Sequence, residues 1–140
     1  MSNGDANDFN RRIIDEFRAN HGKVGEPFEG APMILLTHRG AKTGTERTTP
    51  LVHTTDGDRF VVIASKGGAP TNPAWFHNIK ANPRVTVEVG DERFEADAEI
   101  YEDGPERRRL FDQQAERMPG FKSYEEKTDR VIPVVALTPV

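Results

Sequence analysis

The chain has 140 residues, a formal net charge of −4 and no cysteine. This length suits a single domain, and the absence of cysteine excludes a disulfide framework, thiolate metal sites and a cysteine nucleophile. The modest acidity excludes a generic nucleic-acid binder, and no apolar run approaches the roughly 20 residues needed to span a bilayer.

The first half of the chain is predicted to form one helix followed by three strands. Residues 1–7 are polar and are predicted to be mobile, and Asp8 can cap a helix over Phe9–Asn20. Apolar residues recur at helical spacing on one face of this helix, which favours packing against the rest of the fold over weak contact with a membrane surface. The predicted strands span residues 33–38, 47–54 and 59–64, with a hairpin turn at 55–58.

The second half mixes helices and strands. Asn72 and Pro73 have the residue types of a helix N-cap and a first helical position, which predicts a helix that ends at about Ala81. The remaining predicted elements are strands at 85–89 and 93–101, a helix at 105–116 and a final strand at 131–137. Strands joined by short turns are antiparallel. The order therefore predicts a mainly β, α+β fold, in which a small antiparallel β-barrel carries helices on its outside.

A loop rich in glycine and cations, residues 39–47, joins the first two strands. Its two glycines permit tight turns in which successive backbone N–H groups face an anion. Lys42 and Arg47 add positive charge, and Thr43 adds a hydroxyl donor. The spacing matches neither a P-loop nor a dinucleotide-binding fingerprint. The loop is therefore interpreted as a site for a phosphate or polycarboxylate, and a polar hairpin loop with incidental cations is the alternative.

A second loop, residues 64–68, also follows a strand and leads towards a helix start, whose free N–H groups favour negative charge. Two such loops favour a long anionic ligand more than either does alone. In the helix that follows, Trp75 and Asn78 can form a wall for a planar ligand, and the alternative is that Trp75 is a core residue. The four histidines lack the spacing of a metal-binding motif, so no metal site is predicted.

Taken together, these stretches resemble the deazaflavin-dependent nitroreductase family, reductases that use coenzyme F420 on a split β-barrel related to FMN-binding proteins. The resemblance covers about residues 30–137 and is carried by segments 40–47, 64–68, 72–83 and 128–134. It implies a split antiparallel β-barrel of about six strands with an N-terminal helix and peripheral helices. Residues 8–140 would form one deazaflavin-binding domain. The chain departs from the family pattern at Ala41, where many members carry a basic residue.

The resemblance also implies roles for matching positions. The residues expected to hold the coenzyme's phosphate and its polyglutamate-bearing tail are Lys42, Thr43, Gly44 and Arg47. The residues expected to meet the linker and its charged groups are Lys66, Gly67 and Gly68. The residues expected around the deazaflavin ring are Pro50, Ala64, Ser65, Trp75 and Asn78.

The acceptor is expected on the side of the ring that faces the C-terminal region. If the chain is helical after Gly120, Phe121 and Tyr124 share a face and can cap the ring; the alternative is that both aromatics pack on the N-terminal helix. His53 and Met118 are further candidates for substrate contact. Ser65 and Tyr124 are the candidate catalytic residues, since either hydroxyl can relay the proton that completes reduction. The predicted reaction is hydride transfer from reduced F420 to a quinone, enone, nitro or similar electron-poor acceptor.

Two other functions use the same residues. FMN also needs a phosphate site, so an FMN-binding oxidoreductase on the same barrel is one alternative, and a non-catalytic F420 carrier is the other. The expected partner is a small-molecule electron acceptor, with no nucleic acid and no metal, and the chain is expected to be a monomer or a homodimer. The N-terminus lacks the apolar core of a signal peptide, which predicts a cytoplasmic protein, with peripheral contact to the inner face of the membrane as a further hypothesis.

Overall fold

The computed structural model of the protein describes residues 2–26 and 28–140. Its strands are β1 (Met33–Arg39), β2 (Glu46–Val52), β3 (Thr54–Asp56), β4 (Arg59–Ile63), β5 (Arg84–Val89), β6 (Glu92–Tyr101) and β7 (Val134–Pro139). Its helices are α1 (Ser2–Ala19), α2 (Ala74–Ala81), α3 (Gly104–Arg117) and α4 (Gly120–Glu126), with a 3-10 turn at Lys66–Gly68. Within these residues the strands form one seven-stranded sheet, in the spatial order β2-β1-β5-β6-β7-β4-β3.

The sheet curls because one stretch of chain supplies both of its edges. β2 pairs with β1, β3 pairs with β4, and only His53 separates β2 from β3. The predicted split antiparallel barrel is confirmed, with seven strands instead of about six because the predicted strand 47–54 changes its partner at His53. Hydrophobic periodicity reports which face of a strand is buried and does not report the neighbour with which the strand pairs.

Both sides of β1 are covered, which explains its continuous apolar sequence. Ile34 and Leu36 belong to the central core, whereas Leu35 packs with Ile13 and Phe17 of α1. A strand that is buried on both faces has an apolar run in place of alternation. α2 closes the central core with its own apolar face, which consists of Trp75, Phe76 and Ile79.

The two predicted hairpins are confirmed. Asp56 pairs with Arg59 and Val89 pairs with Glu92, so a two-residue turn joins the strands in each case. Pro50 lies in β2 at one end of the strand order, as expected of a residue that lacks a backbone N–H.

The first helix begins earlier than predicted. α1 starts at Ser2, so Asp8 lies inside the helix and the predicted cap at this residue is wrong. Phe9 was expected on the buried face, yet it is 37% exposed and contacts Phe28 with ring centroids 6.1 Å apart. The predicted mobility of residues 1–7 stays a prediction.

The start of α2 also differs from the prediction. Pro73 is the N-cap and Ala74 the first helical residue. The side-chain oxygen of Asn72 instead accepts a hydrogen bond from the guanidinium of Arg130. The last strand is shorter at its start than predicted, since β7 begins at Val134.

α4 is the helix that was expected after Gly120, and two neighbours hold it in place. The buried Arg107 and the exposed Arg108 of α3 both contact the carboxylate of Glu125, at 3.1 and 2.6 Å. Gly68 of the 3-10 turn approaches α4 on another side. It has a φ of +82°, and a Cβ added there would lie 2.8 Å from the backbone oxygen of Tyr124.

We expect Gly68→Ala to destabilise the fold by about 1–3 kcal/mol, because alanine disfavours positive φ and its methyl group would push α4 away. Gly120→Ala is the matched control, since a Cβ there meets nothing within 4 Å, and alanine favours a helix by up to about 1 kcal/mol. Urea unfolding measures both free energies. A Gly68→Ala protein as stable as the parent would contradict the close packing of the turn on α4.

Candidate functional site

A groove of about 1170 Å³ lies outside the barrel. Its walls are α1, the loop between β1 and β2, the start of β2 and the first part of α2. The side chains of Lys42, Thr43 and Arg47 line it, together with Trp75 and Asn78. The groove therefore brings together five of the residues that the sequence assigned to a bound coenzyme.

A smaller cleft of about 280 Å³ shares one lining residue with the groove, Trp75. Apolar residues from several elements form most of this cleft, and Ser65, Lys66 and Tyr124 supply its polar groups. The predicted site residues that it brings together are Pro50, Ser65, Lys66, Trp75, Phe121 and Tyr124. A cationic groove and an aromatic cleft thus lie next to each other, with Trp75 between them.

Part of the backbone of the loop between β1 and β2 is already engaged in hydrogen bonds, which limits the anion cradle that the sequence suggested. The N–H groups of Gly40 and Gly44 bond the carbonyl groups of Thr45 and Gly40, and that of Ala41 bonds the side chain of Asn78. The N–H of Thr45 donates to the hydroxyl of Thr43 at 3.2 Å. The N–H groups of Lys42 and Thr43 take part in none of these bonds, so the loop can attract an anion through these two groups as well as through its side chains.

Charge at the groove comes from exposed cations. Among the described residues, neither Lys42 nor Arg47 has an ion-pair partner. Arg18 also lines the groove, but the carboxylate of Glu88 neutralises it through two hydrogen bonds of 3.0 and 2.7 Å. The cations left to meet an anion are therefore Lys42 and Arg47 on the side of the loop and β2, and Arg11 on the side of α1.

His38 lies behind these cations and is only 4% exposed. Its ring contacts Asn78 through Nδ1 at 3.0 Å and Thr49 through Nε2 at 2.9 Å. Burial lowers the pKa of His38 to about 4, and the charge of Arg47 acts in the same direction. The ring is therefore neutral near pH 7 and works as a hydrogen-bonding link between β1, β2 and α2.

The loop that carries Ser65 depends on one arginine. The guanidinium of Arg130 donates to the backbone oxygens of Ala64, Ser65 and Ala69 at 3.1, 2.8 and 3.1 Å. Partial burial lowers the pKa of this arginine. Lys66 follows with a φ of +48°, which is unusual for a residue with a side chain. Arg130 thus fixes a strained turn at the mouth of the cleft.

Some predicted site residues lie away from the cavities. Ala64 is fully buried and faces the central core, and Gly68 packs beneath α4. His53 is 7% exposed at the bend between β2 and β3, next to the ring of Phe60. Met118 is the half-buried C-cap of α3. Gly44 and Gly67 contribute backbone turns only, with Gly44 at a φ of +71°.

The wall formed by α1 is the main part of the site that the sequence did not reveal. The groove contacts Asn10, Arg11, Ile14, Asp15 and Arg18. These residues recur at helical spacing beside the face that carries Ile13 and Phe17. This second stripe of α1 residues could have indicated a ligand-binding wall in the sequence. No such wall was predicted because polar stripes on helices usually face solvent.

The family model described as F420H(2)-dependent quinone reductase matches residues 9–139. The chain belongs to this family, which confirms the resemblance drawn from the loops. The F420H(2)-dependent quinone reductase Rv1261c of Mycobacterium tuberculosis is 42% identical over 125 residues, covering 87% of this chain and 84% of that protein.

Solved structures agree with this assignment. The F420-H2 dependent reductase FDR-A is 38% identical with a TM-score of 0.69, covering 76% of this chain and 93% of that one. A structure described as a domain-swapped dimer is 33% identical with a TM-score of 0.71, covering 98% of this chain and 99% of that one.

In the part of the chain that the structure describes, no helix is long and apolar enough to cross a membrane. The same residues contain no group of three or more histidine or carboxylate side chains arranged to hold a metal ion. The described site can contact a ligand through hydrogen-bonding groups, cations and aromatic rings.

We expect acid to destabilise the fold through His38 before it protonates the paired carboxylates. The pKa of His38 is about 4 in the fold against an ordinary 6.5, so the unfolded chain binds more protons between these values and unfolding becomes easier as pH falls. Over this pH range the free energy of unfolding should fall by roughly 3 kcal/mol at most. Paired arginines hold the pKa of Asp56, Glu106 and Glu125 below their usual values, so these groups titrate at lower pH.

Urea unfolding of the parent and of His38→Asn between pH 7 and pH 4 checks this expectation. Asparagine does not titrate in this range and offers an oxygen on the side of Asn78, so the variant should lose less stability than the parent on acidification. Equal losses in the two proteins would assign the effect to other groups, of which the buried His53 is the first to examine.

Proposed function

We propose that the protein is an F420H2-dependent reductase, which binds the coenzyme along the groove and the cleft and reduces a quinone or a similar electron-poor acceptor. The observation that carries this proposal is that Trp75 lines both a groove with exposed cations and an apolar cleft. Coenzyme F420 has two matching ends, an anionic phosphate with its glutamate tail and a planar deazaflavin ring. Membership of the quinone reductase family supports the same assignment.

The residues present fit such a ligand. Lys42 and Arg47 supply charge for the phosphate and the tail, and the hydroxyl of Thr43 lies beside them. Lys66 lies at the mouth of the cleft, where it can meet the linker. Pro50, Ser65 and Trp75 would surround the ring. Ala64 and Gly68 would not contact the ligand. They would support the turn that carries Ser65.

Reduced F420 supplies a hydride when it is bound, and a quinone that takes up this hydride and one proton becomes the hydroquinone while the coenzyme is oxidised. The protein contributes alignment of the two reactants and exclusion of water. Ser65 and Tyr124 both line the cleft, so either hydroxyl can hold the proton that the acceptor needs, as can solvent.

The acceptor would lie against α4. Phe121 and Tyr124 meet edge to face with ring centroids 5.5 Å apart, and both are partly exposed beside the cleft. Flat aromatic surfaces with one hydroxyl suit a planar carbonyl compound. His53 and Met118 lie outside both cavities, so the proposal assigns acceptor contact to the aromatic residues of α4.

An FMN-binding reductase is the second candidate, because FMN also joins a phosphate to a planar ring; membership of the F420-dependent family favours F420. A non-catalytic carrier would enclose both faces of the ring. The partly exposed aromatics of α4 favour an enzyme, since they leave a face for an acceptor.

The proposal includes a cytoplasmic location and two weaker assignments. Peripheral contact with the inner face of the membrane is supported by exposed Phe9, whose ring lies 5.3 Å from the guanidinium of Arg12. A homodimer is supported by the domain-swapped relative. Light scattering after gel filtration distinguishes the homodimer from a monomer.

Fluorescence titration of the purified protein with oxidised F420, and in parallel with FMN, tests the ligand. We expect F420 to bind more tightly than FMN. Arg47→Ala and Lys42→Ala should each weaken F420 binding at least tenfold, because a charge-assisted contact contributes about 1.5–3 kcal/mol. Lys23→Ala, which removes an exposed cation outside the groove, is the matched control. Parent-like affinity in both groove variants would contradict the anion site, and tighter FMN binding would favour the second candidate.

Kinetics of two further variants test the acceptor side. Tyr124→Phe should lower kcat by about tenfold while F420 affinity stays unchanged, because the lost hydroxyl acts on the acceptor. Phe121→Ala should raise KM for quinones, since it removes apolar contact area from the cleft. If both variants keep the parent's kinetics with several quinones, the acceptor binds elsewhere.

A further inference from the structure

A chain of hydrogen bonds with a fixed direction runs from the cationic loop to the groove. The N–H of Ala41 donates to Oδ1 of Asn78 at 3.0 Å. A peptide N–H can only donate, so this contact determines which end of the amide faces the loop. The other end, Nδ2, lies 3.0 Å from Nδ1 of His38. Because an amide nitrogen can only donate, Nδ1 of His38 must accept and carries no proton.

The imidazole of His38 passes the donor role on to its other ring nitrogen. A neutral ring without a proton on Nδ1 carries its proton on Nε2, and Nε2 of His38 lies 2.9 Å from the hydroxyl oxygen of Thr49. His38 therefore donates to Thr49. The hydroxyl of Thr49 has accepted this bond, so its own proton is left for another acceptor.

The hydrogen bond of the neighbouring Thr48 has no fixed donor. The hydroxyl of Thr48 lies 2.8 Å from that of Thr37, and either of the two can donate. Thr49 differs because three preceding groups, each with one possible role, fix its orientation. Hydrogen bonds in such a chain also polarise one another, which strengthens the last donor.

Thr49 lies on the wall of the groove, half-buried, between the cation Arg47 and Pro50 of the apolar cleft. We propose that the hydroxyl of Thr49 is a one-way hydrogen-bond donor, which binds an acceptor oxygen on the part of the ligand between its anionic end and its planar ring. A phosphate-ester, polyol or ring carbonyl oxygen has this chemistry. The inference rests on the proposed function, and it adds a recognition residue that also aligns the ligand.

Binding of oxidised F420 to Thr49 variants tests the donor. Thr49→Val keeps the shape and removes the hydroxyl, so the dissociation constant should rise five- to tenfold; Thr49→Ser keeps the donor and should stay within about twofold of the parent. Thr138→Val is the matched control, because it removes the hydroxyl of a half-buried threonine on β7, outside the groove. Thermal unfolding verifies that each variant is folded.

Parent-like affinity in Thr49→Val, with tight binding by the parent, would overturn this inference and leave the proposed function intact. Failure of the parent itself to bind F420 would instead contradict the proposed function. Nitrogen-15 NMR of the histidine rings in the unmodified protein tests the direction of the chain without a variant. A proton on Nε2 of His38 supports the inference, and a proton on Nδ1 overturns it.

Discussion

The side-chain amide of Asn78 is the interaction on which the groove depends. Its oxygen accepts the N–H of Ala41 and its nitrogen donates to His38, so one residue of α2 holds the cationic loop and the neighbouring strand together. Trp75, one turn earlier, belongs to the central core. Because α2 is anchored by its apolar face, the polar contacts of Asn78 are fixed relative to the barrel, and the groove has a defined shape before a ligand enters.

The two cavities rely on different forces. In the groove, part of the loop's backbone is occupied by its own hydrogen bonds, and the exposed charges of Lys42 and Arg47 are the main attraction that it offers to an anion. In the cleft, the geometry is stiffer, because Arg130 fixes the Ser65 turn and Glu125 fastens α4 to α3. Under the proposed function, this division would let a flexible tail be held loosely while a planar ring is held in one orientation.

Most of the fold could be predicted from the sequence, and the reasons for the errors are physical. Hairpin turns and apolar runs are local signals, so strands and turns were found within a few residues. The change of pairing partner at His53 and the engagement of Asn72 by Arg130 are contacts between distant segments, which no local pattern records. The site was predicted where it uses loop residues; the α1 wall and the His38–Asn78 link were missed, because buried polar networks form only when the chain is folded.

The account's central claim is that one ligand spans the groove and the cleft across Trp75. A crystal structure of the protein with oxidised F420 tests it most directly. The account predicts the phosphate and tail beside Lys42 and Arg47, and the deazaflavin ring between Trp75 and the aromatic pair of α4. A ring bound in the groove against α1, with the cleft left unfilled, would contradict it.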